Sequence, residues 1–281
     1  MKGRDCPRSL HCLTPHRYER ESSPEAFPYL CPALSNRYVV MDLIICFDQF
    51  CIKNGYLLQR ICEEIVSELS QGRPLRDGTV YVMPKDKCPQ CSRVSDSTYA
   101  IFLHCPQDQT GLQYAYQFAH EFCHWLIGGD LSGRMVGLYW LEETVCEVAS
   151  LYCLSRLREK WSVLDPTYPP CLVDKYLEWV LSDGRPAAPL PLTGYIERHR
   201  GELYTPLYHR DLYSQMALAL LPFFLRNPSL WTLLPHFGCL KDYDRPSDWL
   251  YAVRTSAPSE LLPLCATLEV LVLGDPLPLH H

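Results

Sequence analysis

The run Gln117-Phe-Ala-His120-Glu121-Phe-Cys123-His124-Trp-Leu126 constrains this chain more than any other stretch. It contains His-Glu-x-x-His. On a helix, positions four apart lie one turn apart on one face, so His120 and His124 can aim two imidazole nitrogens at a common point. The surrounding residues supply such a helix. Leu112, Ala115, Phe118, Ala119, Phe122 and Leu126 recur at helical spacing and form its packing stripe. Asp108 or Thr110 is placed to cap its start, and Gly128-Gly129 closes it. His120, Glu121 and His124 lie off the stripe, which leaves them available for chemistry.

Two neutral imidazoles suit a tetrahedral zinc ion, and Glu121 lies beside them, where it could take a proton from water on the metal. A hydrolytic zinc site needs a third protein ligand and an open position. A second helical pattern, Tyr139–Glu159, buries Leu141, Val145, Val148, Ala149 and Tyr152 and carries Trp140-Leu-Glu142-Glu143-Thr-Val-Cys-Glu147. Eighteen residues separate His124 from Glu143, enough for a helix end, a turn and a return run. Glu143 could therefore face the two histidines across an antiparallel helix pair. Glu147, one turn further on, could accept the outer N–H of a ligating histidine and fix its tautomer. Glu142 stands beside Glu143 as the alternative third ligand.

With these residues in view, the chain resembles the gluzincin group of metallopeptidases, the thermolysin-like clan, over about residues 38–160 by order of elements. The resemblance implies that His120, His124 and Glu143 hold one catalytic zinc ion, that Glu121 is the catalytic base, and that Glu147 holds a histidine. It implies an α+β fold: a zincin-like core of a small twisted sheet and two active-site helices, followed by a mainly helical C-terminal lobe. The strand Ala100–His104 resembles the family's edge strand, along which an extended peptide lies antiparallel. The residue before the third ligand, usually Asn in thermolysin-like enzymes, is Glu142 here. Related enzymes hold the developing oxyanion with a Tyr, His or Arg of the second lobe, and here Tyr204, Tyr208, His209, Arg210 and Tyr213 follow the proline-rich segment.

Other features bound the reading. With 281 residues, 47% hydrophobic and 21% charged, the chain can bury a substantial core. A net charge of −6 without a basic block argues against nucleic acid as a partner. No secretory signal or membrane span is evident, so a cytoplasmic protein acting on a peptide or protein substrate is expected. The fifteen cysteines then read mostly as small buried thiols, among them Cys62, Cys123, Cys146 and Cys153. Cys88-Pro-Gln-Cys91 could be half of a structural zinc site with Cys105 or His104, although no second Cys-x-x-Cys completes it.

The expected organisation is an irregular lead-in over 1–36, a metal-binding core over 37–162, a proline-rich linker or loop over 163–193 and a helical lobe over 194–281. Strands are expected at Tyr38–Phe47, Thr79–Met83 and Tyr99–Cys105. A helix with the stripe Leu57, Leu58, Ile61, Cys62, Ile65, Val66 and Leu69 should end near Gly72. Later helices are expected at Asp211–Leu225, Ser229–Phe237, Pro246–Thr255 and Pro258–Leu273. Two other functions fit the same residues: a zinc-binding regulatory protein with one specific protein target, or a non-catalytic interaction protein with a coincidental motif.

Overall fold

A computed structural model describes residues 41–46, 55–105, 110–128, 137–181, 186–238 and 240–276. The expected lead-in, Asp108, Gly129 and the terminal histidines lie outside these residues. The described residues all fall within one compact unit. The architecture is mixed α+β, with helices predominating around a four-stranded mixed sheet.

Strand β1 (Met41–Ile45) pairs in parallel with β2 (Gly78–Pro84), and α1 (Gly55–Ser70) connects them. β2 pairs in parallel with β4 (Thr98–Leu103), and β3 (Gln90–Arg93) pairs antiparallel with β4. The strand order is β1-β2-β4-β3. Along β2, Val80 and Val82 are fully buried while Tyr81 between them is partly exposed, the two-residue alternation of a pleated strand. α1 buries the expected stripe, with Val66 at its margin, and the chain turns out of it through Gln71 and Gly72 at φ of 52° and 71°.

Two expectations change here. The cysteine-bearing stretch after β2 contains a strand rather than only a loop. β3 has four residues and turns only Cys91 fully inward, so no apolar alternation announces it. Its pairing makes β4 an inner strand, and Ala100–His104 is therefore not the sheet edge. That edge is β3.

Helices α2 (Leu112–Ile127) and α3 (Tyr139–Leu164) pack against each other. α3 runs five residues beyond its expected end. α2 has α1, the β3–β4 hairpin, α3 and the 3₁₀ helix Pro228–His236 around it, and all its residues except Gln113 are buried. The expected division of α2 into a packed stripe and a free polar face is thus corrected, because its polar face is enclosed as well.

The helix starts at Gly111 in the left-handed region, where Thr110 Oγ1 accepts the Leu112 N–H at 3.3 Å. It stops at Gly128, also left-handed at φ 71°, whose N–H donates to His124 O. Arg76 secures this end by donating to Trp125 O while its guanidinium lies over the Tyr99 and Trp125 rings. At the other end, Gln117 and His104 bond reciprocally: the His104 N–H donates to Gln117 Oε1 at 2.8 Å, and Gln117 Nε2 donates to His104 O at 2.9 Å.

The segment expected as linker carries a helix of its own, α4 (Cys171–Leu181). It starts directly after Pro169-Pro170 and seats Val173 against the core beside α3. After it come α5 (Thr193–Arg198), α6 (Arg200–Leu203), α7 (Arg210–Arg226), α8 (Pro246–Ser256) and α9 (Leu262–Leu273). The stretch expected as a helix at Ser229–Phe237 is 3₁₀ over Pro228–His236, which contains two prolines. α7 packs directly along α3, so an interface stands where an open cleft between lobes was expected. Among the described residues, no single helix is long and apolar enough to cross a membrane.

Candidate metal centre

The two histidines of α2 stand with ring centroids 5.1 Å apart and face the first turns of α3. Glu143 meets both. Its Oε2 lies 3.2 Å from His120 Nε2, and its Oε1 lies 3.3 Å from His124 Nε2. One carboxylate thus spans the two inner nitrogens. A tetrahedral zinc ion with bonds near 2.0–2.1 Å has ligand atoms about 3.3 Å apart along each edge. Each of the two distances matches one such edge, reached through a different oxygen of Glu143, and the donor chemistry of the three side chains fits the ion.

The residues behind them orient the rings. His124 Nδ1 lies 2.7 Å from Glu142 Oε1, so Glu142 backs His124 while Glu143 faces the inner nitrogens. Glu147 Oε2 lies 4.0 Å from His120 Nδ1, on the expected side of the ring but beyond hydrogen-bond reach. Its oxygens are engaged elsewhere. Tyr116 Oη donates to Oε2 at 2.5 Å, and Ser214 Oγ donates to Oε1 at 3.4 Å. Arg210 Nη2 donates to Tyr116 Oη at 3.2 Å, which ties α7 to the same network.

All these groups are close to sealed. The side chains of His120 and His124 keep 11% and 10% of their exposure, and those of Glu142, Glu143 and Glu147 keep 5% or less. Burial pushes the Glu121 carboxyl up, against the opposing pull of His120 and His124, and the Cys91 backbone N–H of β3 donates to it. Burial acts the same way on Glu143, but there the two imidazoles prevail and hold it well below the usual carboxylate range. Burial disfavours the His124 imidazolium, yet Glu143 and Glu142 outweigh it and raise that ring well above its ordinary value. Tyr139 lies beside Glu143, and the half-buried Tyr208 lies close to both Glu143 and Glu147. Four carboxylates here face one guanidinium and two imidazoles.

Among the C-terminal candidates, Tyr208 and Arg210 reach this network. Tyr204 Oη instead donates to Asp244 O, His209 Nε2 pairs with Thr205 Oγ1, and Tyr213 Oη donates to Leu207 O. The Cys88–Cys91 proposal does not assemble. Cys88 is exposed, Cys91 is buried beside Glu121, His104 Nδ1 is bonded to Lys85 O, and Cys105 Sγ donates to Gln117 Oε1.

Cys62, Cys123, Cys146 and Cys153 are buried free thiols, as expected. Cys146, however, does more than fill space: its Sγ and ring nitrogens of His120 and His124 all lie within 4.8 Å of one another. The Cys123 thiol of α2 lies beside it. Its place three residues after Glu143 was the available sequence signal. The approaches of Tyr116 and Tyr139 carried none. No protein-family model matches the chain, and no curated protein matches it.

Proposed function

We propose that this protein is a zinc-dependent metallopeptidase of gluzincin type, with His120, His124 and Glu143 as ligands and Glu121 as general base. The observation that carries the reading is the Glu143 carboxylate spanning both inner imidazole nitrogens at zinc-like separations. The small sheet, the α2–α3 pair and the helical C-terminal region fit a zincin-like core with its second lobe.

Zinc held here supplies a water acidified toward neutrality and polarises the scissile carbonyl. Glu121 takes the proton of the attacking water and passes it to the leaving amine. Glu142 holds the His124 ring in one orientation through Nδ1. Glu147, fixed by Tyr116 and Ser214, keeps negative charge beside His120. Tyr139 and Tyr208, both beside Glu143, are the hydroxyls that would donate to a developing oxyanion.

The test is metal analysis of the purified protein, followed by assay of Glu121→Gln on a quenched peptide library. About one zinc per chain is expected, lost in His120→Ala. Glu121→Gln should keep its zinc and lose cleavage. A metal-free wild type, or a Glu121→Gln variant that cleaves as fast as wild type, overturns the assignment.

A second reading has support from the low exposure of the two rings. A centre this enclosed favours action on one dedicated protein target over general peptide digestion. Rapid turnover of short unrelated peptides by the wild type would exclude it.

A further inference from the structure

We propose that Cys146 is a fourth protein donor to the ion held by His120, His124 and Glu143, closing a tetrahedron of two nitrogens, one oxygen and one sulfur. The inference rests on the metal centre proposed above and adds a second state to it. Cys146 lies one helical turn beyond Glu142 and Glu143, on the face of α3 that meets α2. Its thiol is fully buried, and its sulfur falls within 4.8 Å of one ring nitrogen of each histidine. In a tetrahedral zinc site a nitrogen and a sulfur ligand stand about 3.6 Å apart, so the remaining gap is at most roughly 1 Å. A small side-chain rotation and slight approach of the helices covers that distance.

The neighbouring thiol explains where Cys146 rests when it is not bound. The Cys123 thiol of α2 lies beside it, next to the centre. Cys146 thus has two positions: withdrawn onto Cys123, which leaves the fourth site for a water, or turned onto the metal, which fills it. Binding releases the thiol proton to solvent and forms one metal–sulfur bond, with no change of oxidation state. A sulfur donor also biases the site toward zinc or cobalt and away from magnesium and calcium. The closed state cannot hydrolyse anything, because the position that water must occupy is taken.

The full-length protein is loaded with cobalt in place of zinc. Cobalt stoichiometry and near-ultraviolet absorption are then compared for wild type, Cys146→Ser, Cys123→Ser and His120→Ala. Wild type should show thiolate-to-cobalt charge transfer. Cys146→Ser should keep its cobalt and lose that band, while Cys123→Ser keeps both. A wild type that binds cobalt without the band overturns the proposal and leaves the His–His–Glu centre standing. So does a band that disappears with Cys123→Ser and survives Cys146→Ser. Full cobalt binding by His120→Ala places the ion elsewhere and overturns both readings. X-ray absorption at the zinc edge of the unmutated protein decides the matter should a variant fail to fold. One sulfur at about 2.3 Å is expected, and a shell of nitrogen and oxygen alone overturns the proposal.

Discussion

Along its first half α3 carries Glu142, Glu143 and Glu147, each no more than 4% exposed, whereas its second half carries Arg156, Arg158, Glu159 and Lys160 toward solvent. In the second half every acid has a matching base. Lys160 Nζ meets Glu64 and Glu68 at 2.6 and 3.0 Å, Arg156 meets Glu68 and Glu159 at 3.3 and 2.9 Å, and Arg158 meets Asp174. Such pairs sit in high dielectric and contribute little individually. In the first half the same helix, joined by Glu121 of α2, gathers four acids against Arg210 and two rings that are neutral when they bind metal. Removing a carboxylate from water costs several kcal/mol unless a cation compensates. The contrast is what the proposed centre would resolve, since a divalent ion held there supplies the positive charge that the buried half lacks.

Stripping the proposed ion is the strongest way to break this contrast. A chelator should lower the melting temperature by about 10 °C in scanning calorimetry, from an ion bound at roughly a thousand times its dissociation constant. An unchanged transition would mean that the four acids are balanced without an ion. Glu143→Gln keeps the shape and removes the charge that spans the rings. It should weaken zinc binding by more than about 100-fold in competition with a chromophoric chelator.

Glu142→Gln tests orientation rather than ligation. A loss of about 10- to 100-fold in affinity is expected, because the amide no longer draws on the His124 N–H as strongly. Equal losses in the two variants would erase the distinction between facing and backing carboxylates. The smallest effect belongs to the exposed half. Glu68→Gln should destabilise by at most about 1 kcal/mol, because its partners Arg156 and Lys160 are a third or more exposed.

The pH dependence of that last difference has a definite sign. Burial pushes the Glu68 carboxyl up, but Lys160 and Arg156 outweigh it, so its folded value falls below the ordinary one of about 4.3. The contribution is complete above the unfolded value and disappears as the pH falls through the folded one. Urea titrations of wild type and Glu68→Gln should therefore differ at pH 7 and converge in acid. A gap that widens in acid would contradict the pairing.

How much of this could be read beforehand depended on whether a residue's role is local. The α1 stripe and the facing of His120 and His124 follow from helical period alone, and both are found in the structure. The approach of Glu143 to the rings needed only a turn of suitable length. The choice between Glu142 and Glu143 needed the rotation of α3 about its axis, which packing against α1, α4 and α7 sets. β3 escaped notice because its partner, not its composition, makes it a strand. α4 was hidden by the prolines around it, although Leu172, Val173, Tyr176, Leu177 and Val180 carry a helical stripe. Arg210 and Tyr116 lie ninety-four positions apart, a pairing that no period encodes.

The reciprocal amide bonds between Gln117 and His104 follow the grammar of a sheet, with a side chain standing in for a neighbouring strand. Through them the exit of β4 is keyed to α2 a single turn before His120. These bonds couple the sheet to the helix of the imidazoles, so opening of the proposed centre is expected at the wall where α7 brings Tyr208 and Arg210. Amide hydrogen exchange should register this asymmetry, with slow exchange in α2 and faster opening at the start of α7.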